Sequence, residues 1–475
     1  MLAKIILAHF NNRQRFLISP FFLLPLLFWM AGCKKLIEIP APENQLTTPE
    51  VFTDSASVNS AVSGLYSYMY NWRNVEGSPY KSFITTLSSL TADETYYFSG
   101  NRYPQFEQNA IPVADTRNLQ LWADSYTAIY MANNILENIN MLDKSSQGYR
   151  NQITGEAKFM RALCNFYLTD MFGDVPIILT TEVSKTALLP KSPQANVYNQ
   201  IVADLKSAQE LLYEDYIGTG ARSRVNKFAA IALLSRVYLY MNKYPEAEAA
   251  ASLVIGKNAF YRLETIDRVF LRSSSEAIFQ FNADQNNATY VARDFLPAAG
   301  TGMPNFVVRD NLLSAFELND LRKSNWIGKV AYGGKDYYYP NKYKQTGVIP
   351  PAAASKEDDL VLRLTEQYLI RAEARAQQEN IVGAKEDLNK IRFRANLPDV
   401  NAVSKAQMLA YIAHERQVEL FCEWGHRWFD LKRTNKATEV LAPLKPTWKA
   451  TAVLFPVPQQ AINSNKNLVQ NQGYN

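Results

Sequence analysis

Histidine and cysteine are scarce in this 475-residue chain, at three residues each. His9 lies close to the N-terminus. His414 and His426 stand twelve apart, not at the i, i+4 spacing that puts two imidazoles on one helix face for zinc. Cys33, Cys164 and Cys422 are too few for a disulfide-stapled scaffold, so packing must supply the stability. Cys164 and Cys422 sit among apolar neighbours in helical-looking segments and are expected as buried free thiols. No Gly-x-Ser-x-Gly nucleophile elbow is present. Gly328 to Lys335 nearly matches a phosphate loop, but the lysine falls one place late and Asp336 stands where serine or threonine is required. It is expected as a flexible loop. Strong charge of either sign is also missing, and no long basic run occurs, which removes the electrostatic case for nucleic acid.

Only one long apolar run exists, Phe16 to Trp29, and it is too short to span a bilayer. Lys4, Arg13 and Arg15 precede it, and Met30-Ala31-Gly32-Cys33 ends it in the order of a bacterial lipobox. Cleavage before Cys33 is expected, with the sulfur lipidated and the new amine acylated. One acyl chain binds a membrane marginally, whereas two or more anchor it. Loss of those three cations, with no acid upstream of Cys33, lowers the net charge from +5 to +2. Lys34 to Pro49 carries Pro40, Pro42 and Pro49 and reads as an extended tether, reaching roughly 50 Å at about 3.1 Å per residue.

Apolar residues make up 47% of the chain, enough for a substantial core. Helices are expected from an N-cap at Thr53-Asp54-Ser55 toward Tyr70, over Asp124–Leu142 and Gly155–Met171, and from Val197 to Tyr213. Gly173 should end the third and Pro176 prevent its continuation. Two segments look like copies of one unit. Ser235, Ala247 and Val254 recur as Ala372, Ala384 and Ile391 with the same offsets, a spacing similar to tetratricopeptide helix pairs, which must stack to bury their apolar faces. Arg272 to Ser355 and Trp72 to Pro112 are rich in proline, glycine and aromatics, and far too long for plain connectors.

These two irregular stretches are where ligand contacts are expected, because loops on a rigid scaffold carry function. Aromatic faces stack on sugar rings or peptide side chains. The candidates are Trp72, Tyr96, Tyr97 and Arg102 in the first stretch, and Tyr290, Trp326 and Tyr338 in the second. Glu415, Glu419 and Glu423 form an i, i+4, i+8 stripe that a glycosidase could use as its carboxylate pair. The nearby Arg416, His426, Arg427, Lys432 and Arg433 favour a structural charge network, with Glu423 and Arg427 as an i, i+4 ion pair.

Three motifs carry a resemblance. Glu156-Ala157-Lys158-Phe159-Met160-Arg161-Ala162-Leu163 continues through Phe166-Tyr167 to Phe172-Gly173-Asp174-Val175-Pro176. Glu415-Arg416-Gln417-Val418-Glu419-Leu420 leads to Gly425-His426-Arg427-Trp428-Phe429-Asp430-Leu431-Lys432-Arg433. Leu454-Phe455-Pro456-Val457-Pro458 is followed by Asn465, Asn467-Leu468, Gln470-Asn471 and Gly473-Tyr474. In this order, behind a lipobox, they resemble the SusD/RagB family of nutrient-binding outer-membrane lipoproteins. Lys466 and Gln472 depart from the family at positions where proline is usual, and Lys34-Lys35 replace the acidic residues common after its anchor.

The resemblance implies a mainly α fold, a tetratricopeptide-like scaffold bearing an irregular ligand-binding lobe. The organisation it gives is a leader over 1–32, a lipidated tether over 33–50 and one domain over 51–475. Repeats lie near 124–255 and 363–433, and the lobe near 72–112 and 272–355. It further implies a SusC-like TonB-dependent barrel as partner and an oligosaccharide or peptide as ligand, without cofactor, metal or catalysis. The motifs themselves, with Arg161, Asp174, Glu419, Arg427 and Asp430, are expected to hold the scaffold. A surface glycoside hydrolase and a helical-repeat envelope scaffold are the alternatives.

Overall fold

The computed structural model describes residues 51–70, 79–98, 102–142, 145–218, 222–283, 288–297, 302–348 and 351–474. Asp54 begins α1 (Ser55–Tyr70) by accepting the amides of Ala56 and Ser57 at 2.8 and 2.9 Å. After α2 (Ile84–Thr91), two long helices follow, α3 (Thr116–Asn138) and α4 (Gln147–Phe172). Both begin eight residues before the expected starts. Their first turns are polar and invisible to apolar periodicity, but Asp115 caps the amides of Arg117 and Asn118, and Ser146 caps that of Tyr149. Gly173 ends α4 at φ +75°, a conformation that favours glycine. Next comes α5 (Gln194–Leu211), tied to α4 by the forked Arg161–Asp204 bridge.

The two suspected copies fold alike. The pair α6 (Lys227–Tyr240) and α7 (Tyr244–Ile255) matches the pair α8 (Leu364–Gln377) and α9 (Ile381–Arg394). Each pair turns on one left-handed residue, Asn242 at φ +57° and Glu379 at φ +65°. Each turn is closed by the same bond, Lys243 N to Tyr238 O and Asn380 N to Arg375 O, both 2.9 Å. Ser235, Ala247, Val254, Ala372, Ala384 and Ile391 are all fully buried, and α7 packs directly on α8. Small residues let the backbones approach, and stacking covers what one pair leaves open.

The chain between the copies forms short antiparallel strands instead of plain loop. β1 (Thr95–Tyr97) pairs with β3 (Phe306–Val308), β2 (Ala277–Phe281) with β6 (Asp359–Arg363), and β4 (Ile327–Tyr332) with β5 (Lys335–Pro340). The near phosphate loop is this last hairpin, its turn made by Gly333 and Gly334 at φ +57° and +78°.

The glutamate stripe resolves differently from its pattern. α10 (Lys405–Glu419) ends at Glu419, and positive φ at Cys422, Trp424 and Gly425 swings the chain round before α11 (His426–Arg433). Glu423 therefore leaves the helix face and binds Lys342 and Arg363, while Arg427 forks onto Asp93 instead. Cys422 lies in that turn, not in a helix, but both Cys164 and Cys422 are buried and free. Asp430 takes Arg416 and Arg433, and Asp174 accepts the amide of Gln194 at 2.8 Å. Glu419 is fully buried and meets Arg322 at 3.0 Å, Arg363 at 2.7 Å and Arg394 at 2.5 Å. Burial would push its carboxyl up, but these three guanidiniums hold it well below the usual carboxylate range. A carboxylate held ionised among three arginines carries no proton to donate as a general acid.

Two outcomes are expected. Glu419→Gln leaves three buried cations short of a counter-charge and costs about 3–5 kcal/mol, read as a lowered midpoint in urea. Glu94, whose carboxylate accepts the Cys422 amide at 3.0 Å, is pushed by burial up to about 8. Its folded form thus holds a proton that the unfolded chain releases near pH 4.5, so this group's contribution to stability falls as pH rises from there to about 8. Glu94→Gln keeps the acceptor and removes the titration. In paired thermal melts the variant should gain on the native chain between pH 5 and 8 and hold a constant lead above that.

Candidate functional site

Strand parity sorts the aromatics of the lobe. On β1, Tyr97 turns inward, edge-on to Tyr103 and Phe306 with centroids 5.3 Å away in each case. Tyr96 points to the other side and is half-buried, as is Phe98 two residues on. Arg309 stands with its guanidinium 5.7 Å from the Tyr96 ring, fixed by bonds to the Thr95 carbonyl and to Glu107 at 3.0 and 2.8 Å. Burial, with Tyr337 and Asp310 close by, raises the Tyr96 hydroxyl above its ordinary value.

The β4–β5 hairpin completes the surface. Its register sets Tyr332 opposite Lys335 and Val330 opposite Tyr337, so Tyr332, Lys335 and Tyr337 share one face. Phe98 stands edge-on to both tyrosines, 6.1 Å from Tyr332 and 4.9 Å from Tyr337. Tyr339 lies across Gly328 so closely that a Cβ there would sit 2.2 Å from its ring. Tyr332 is 57% exposed, and the Lys335 ammonium lies 5.5 Å from the Tyr337 centroid. Tyr96, Phe98, Tyr332 and Tyr337 therefore form an aromatic platform edged by Arg309, Glu107 and Lys335. Its faces suit the C–H faces of sugar rings, and its edge supplies donors and an acceptor for hydroxyls.

The sequence candidates divide accordingly. Tyr96 joins the platform. Tyr97 is buried behind it, and Tyr338 sits on the opposite hairpin face, beside the Lys329–Asp336 bridge. Tyr290 packs edge-on to Tyr70 at 5.2 Å, with Lys81 4.8 Å above its ring. Arg102 lies 5.4 Å over Tyr103. Trp72 and Cys33 fall outside the described residues. Trp326 is corrected outright: it is 1% exposed, its indole N–H donates to the Ile266 carbonyl at 3.0 Å, and Lys342 lies 4.9 Å from its ring, leaving no face for a ligand. Reading by composition missed Tyr332 and Arg309. The Gly333-Gly334 turn between two runs rich in strand-forming residues was the available signal.

Among the described residues no cluster of His, Cys, Asp and Glu could hold a metal ion, and no helix is long and apolar enough to cross a membrane. Residues 40–239 match the sequence profile described as starch-binding associating with outer membrane, and residues 322–474 match the SusD family profile. Together these matches span more than half of the chain. A SusD-like protein of Formosa agariphila is 24% identical over 93% of this chain and 96% of its own. The starch-binding protein SusD of Bacteroides thetaiotaomicron is 32% identical, over 28% of this chain and 24% of its own. The fold matches the crystal structure of a SusD-like protein from Bacteroides fragilis with a TM-score of 0.77 at 21% identity, covering 92% of this chain and all of that one. The inward-turned motif residues, the stacked helix pairs and these likenesses agree: the chain belongs to the SusD/RagB family.

Proposed function

We propose that this protein captures a nutrient glycan on the Tyr96–Phe98–Tyr332–Tyr337 platform and passes it to a SusC-like TonB-dependent barrel in the outer membrane. SusD/RagB proteins bind carbohydrate and are not enzymes. The observation that carries the reading is Tyr332, a large aromatic held 57% exposed on a hairpin that Phe98 braces from below. Leaving such a side chain in water forgoes about 1.5–3 kcal/mol of burial, which a stacking ligand recovers. The locked Glu419 supports binding over hydrolysis. Residues 1–32 serve as the leader, 33–50 as the tether and Cys33 as the lipid anchor, holding the binding domain at the cell exterior beside its barrel.

Affinity electrophoresis through gels containing starch, xylan, mannan or laminarin tests the platform. At least one polysaccharide should retard the native protein, and Tyr332→Ala or Tyr337→Ala should weaken that binding about tenfold each, the equivalent of one ring's stacking. Unchanged retardation in both variants, or release of reducing ends, would refute the reading. For the anchor, Cys33→Ala should move the protein out of the membrane fraction. Protease added to intact cells should shave the native protein; full protection would place it on the inner face.

A further inference from the structure

A cavity of about 730 Å³ lies apart from the platform residues, between α9, the segment 263–267 and the short helix Leu321–Trp326. Its walls are fixed. The Leu321 amide donates to the Ala395 carbonyl at 3.1 Å, joining the short helix to the end of α9. From beneath, the Trp326 indole bonds Ile266 and joins that helix to the 263–267 segment. The tryptophan expected to touch ligand is instead the strut beneath this groove.

α9 shows the groove a face that the fold does not use. Ala384, Leu388 and Ile391 are buried against the scaffold, whereas Val382, Glu386 and Phe393 run outward, and Lys390 between them lays its ammonium 5.2 Å from the Tyr368 centroid. Phe393 is 83% exposed at the groove mouth, and Leu321, across from it, is 41% exposed. Planar polar groups stand around them. Asn325 spends its amide nitrogen on the Leu321 carbonyl at 2.8 Å and keeps its oxygen. Asn389 spends its oxygen on the Val400 amide at 3.1 Å and keeps its nitrogen. The Asp267 and Glu386 carboxylates make no hydrogen bond or ion pair with any described residue.

We infer that this groove is a second carbohydrate site, taking a neutral oligosaccharide against Phe393; the inference rests on the glycan-binding reading above. A phenyl face, two half-free amides and two open carboxylates are the groups that receive a sugar's C–H face and its vicinal hydroxyls. Among the charged lining residues three are acidic and two basic, and of the basic ones Arg394 is committed to Glu276 and Glu419. That balance disfavours an anionic ligand. Two sites on one rigid chain would hold a polysaccharide by avidity while one site releases it.

The same polysaccharide gels provide the test. Tyr332→Ala/Tyr337→Ala, with the platform silenced, should keep residual retardation in the gel that retards the native protein. Adding Phe393→Ala should remove it, and so should Thr265→Trp, which fills the groove from an exposed position; thermal melts confirm that each variant folds. In the native background, Phe393→Ala should weaken binding about tenfold. If the Phe393 and Thr265 variants bind every polysaccharide as the native chain does, the second site is refuted while the platform stands. If no gel retards the native protein, both fail. If Phe393→Ala leaves polysaccharide binding intact but abolishes co-purification with the barrel, the face belongs to a protein partner and the inference falls.

Discussion

Glu419 sits where three parts of the molecule meet, and its charge is the constraint from which their arrangement follows. Arg322 reaches it from the short helix of the lobe, Arg363 from the junction of β6 and α8, and Arg394 from the last turn of α9. Each partner also has a second acid: Asp320 and Glu415 for Arg322, Glu423 for Arg363, Glu276 for Arg394. Burying so many charges is expensive, and it is tolerated only where every group finds a partner in good geometry. An apolar core of equal volume could hold the same elements together. What the network adds is exactness of placement, since displacing any one element leaves a buried ion unpaired.

The hairpin that carries Tyr332 and Tyr337 inherits this placement. A two-stranded ribbon is marginal by itself. Its base is clamped on both strands: Trp326, just before β4, accepts the Asn341 amide at 2.8 Å, and Lys342, just after β5, donates to the Glu419 carbonyl at 2.8 Å and pairs with Glu423. Lys342 also rests 3.9 Å from the Phe421 centroid. Its ammonium is lowered by burial, the attraction of Glu423 working against that, so the lysine acts as a desolvated strut. The base of the hairpin is thus joined to the scaffold through this polar knot.

That knot also marks what the sequence could and could not reveal. Helix bodies were legible because periodicity is local, and the repeat was legible because Ser235, Ala247 and Val254 return with the same spacing. Helix starts were not, since Asp115 and Ser146 act by one hydrogen-bonding side chain in an otherwise polar turn. Local reasoning paired Glu423 with Arg427, but an i, i+4 rule holds only while the helix continues, and α10 stops at Glu419. The true partners of Glu419 lie 25, 56 and 97 residues away. In the lobe, aromatic content was visible but burial was not. Tyr96 and Tyr97 are neighbours in sequence and sit on opposite faces, and only the pairing of β1 with β3 decides which one faces outward.

Rigidity bears on the proposed transfer of ligand. Residues that close over a substrate are usually found on elements with few buried contacts, yet the platform and the groove beside Trp326 are both anchored to the Glu419 network. Capture by refolding of the hairpin would break that network and cost several kcal/mol. The proposed delivery to a barrel would therefore move the domain as a whole, with the platform unchanged in shape. A preformed surface avoids the ordering cost of binding, so modest stacking energy suffices for capture. Modest affinity is in turn what release requires, and a stiff platform of half-exposed rings meets both demands.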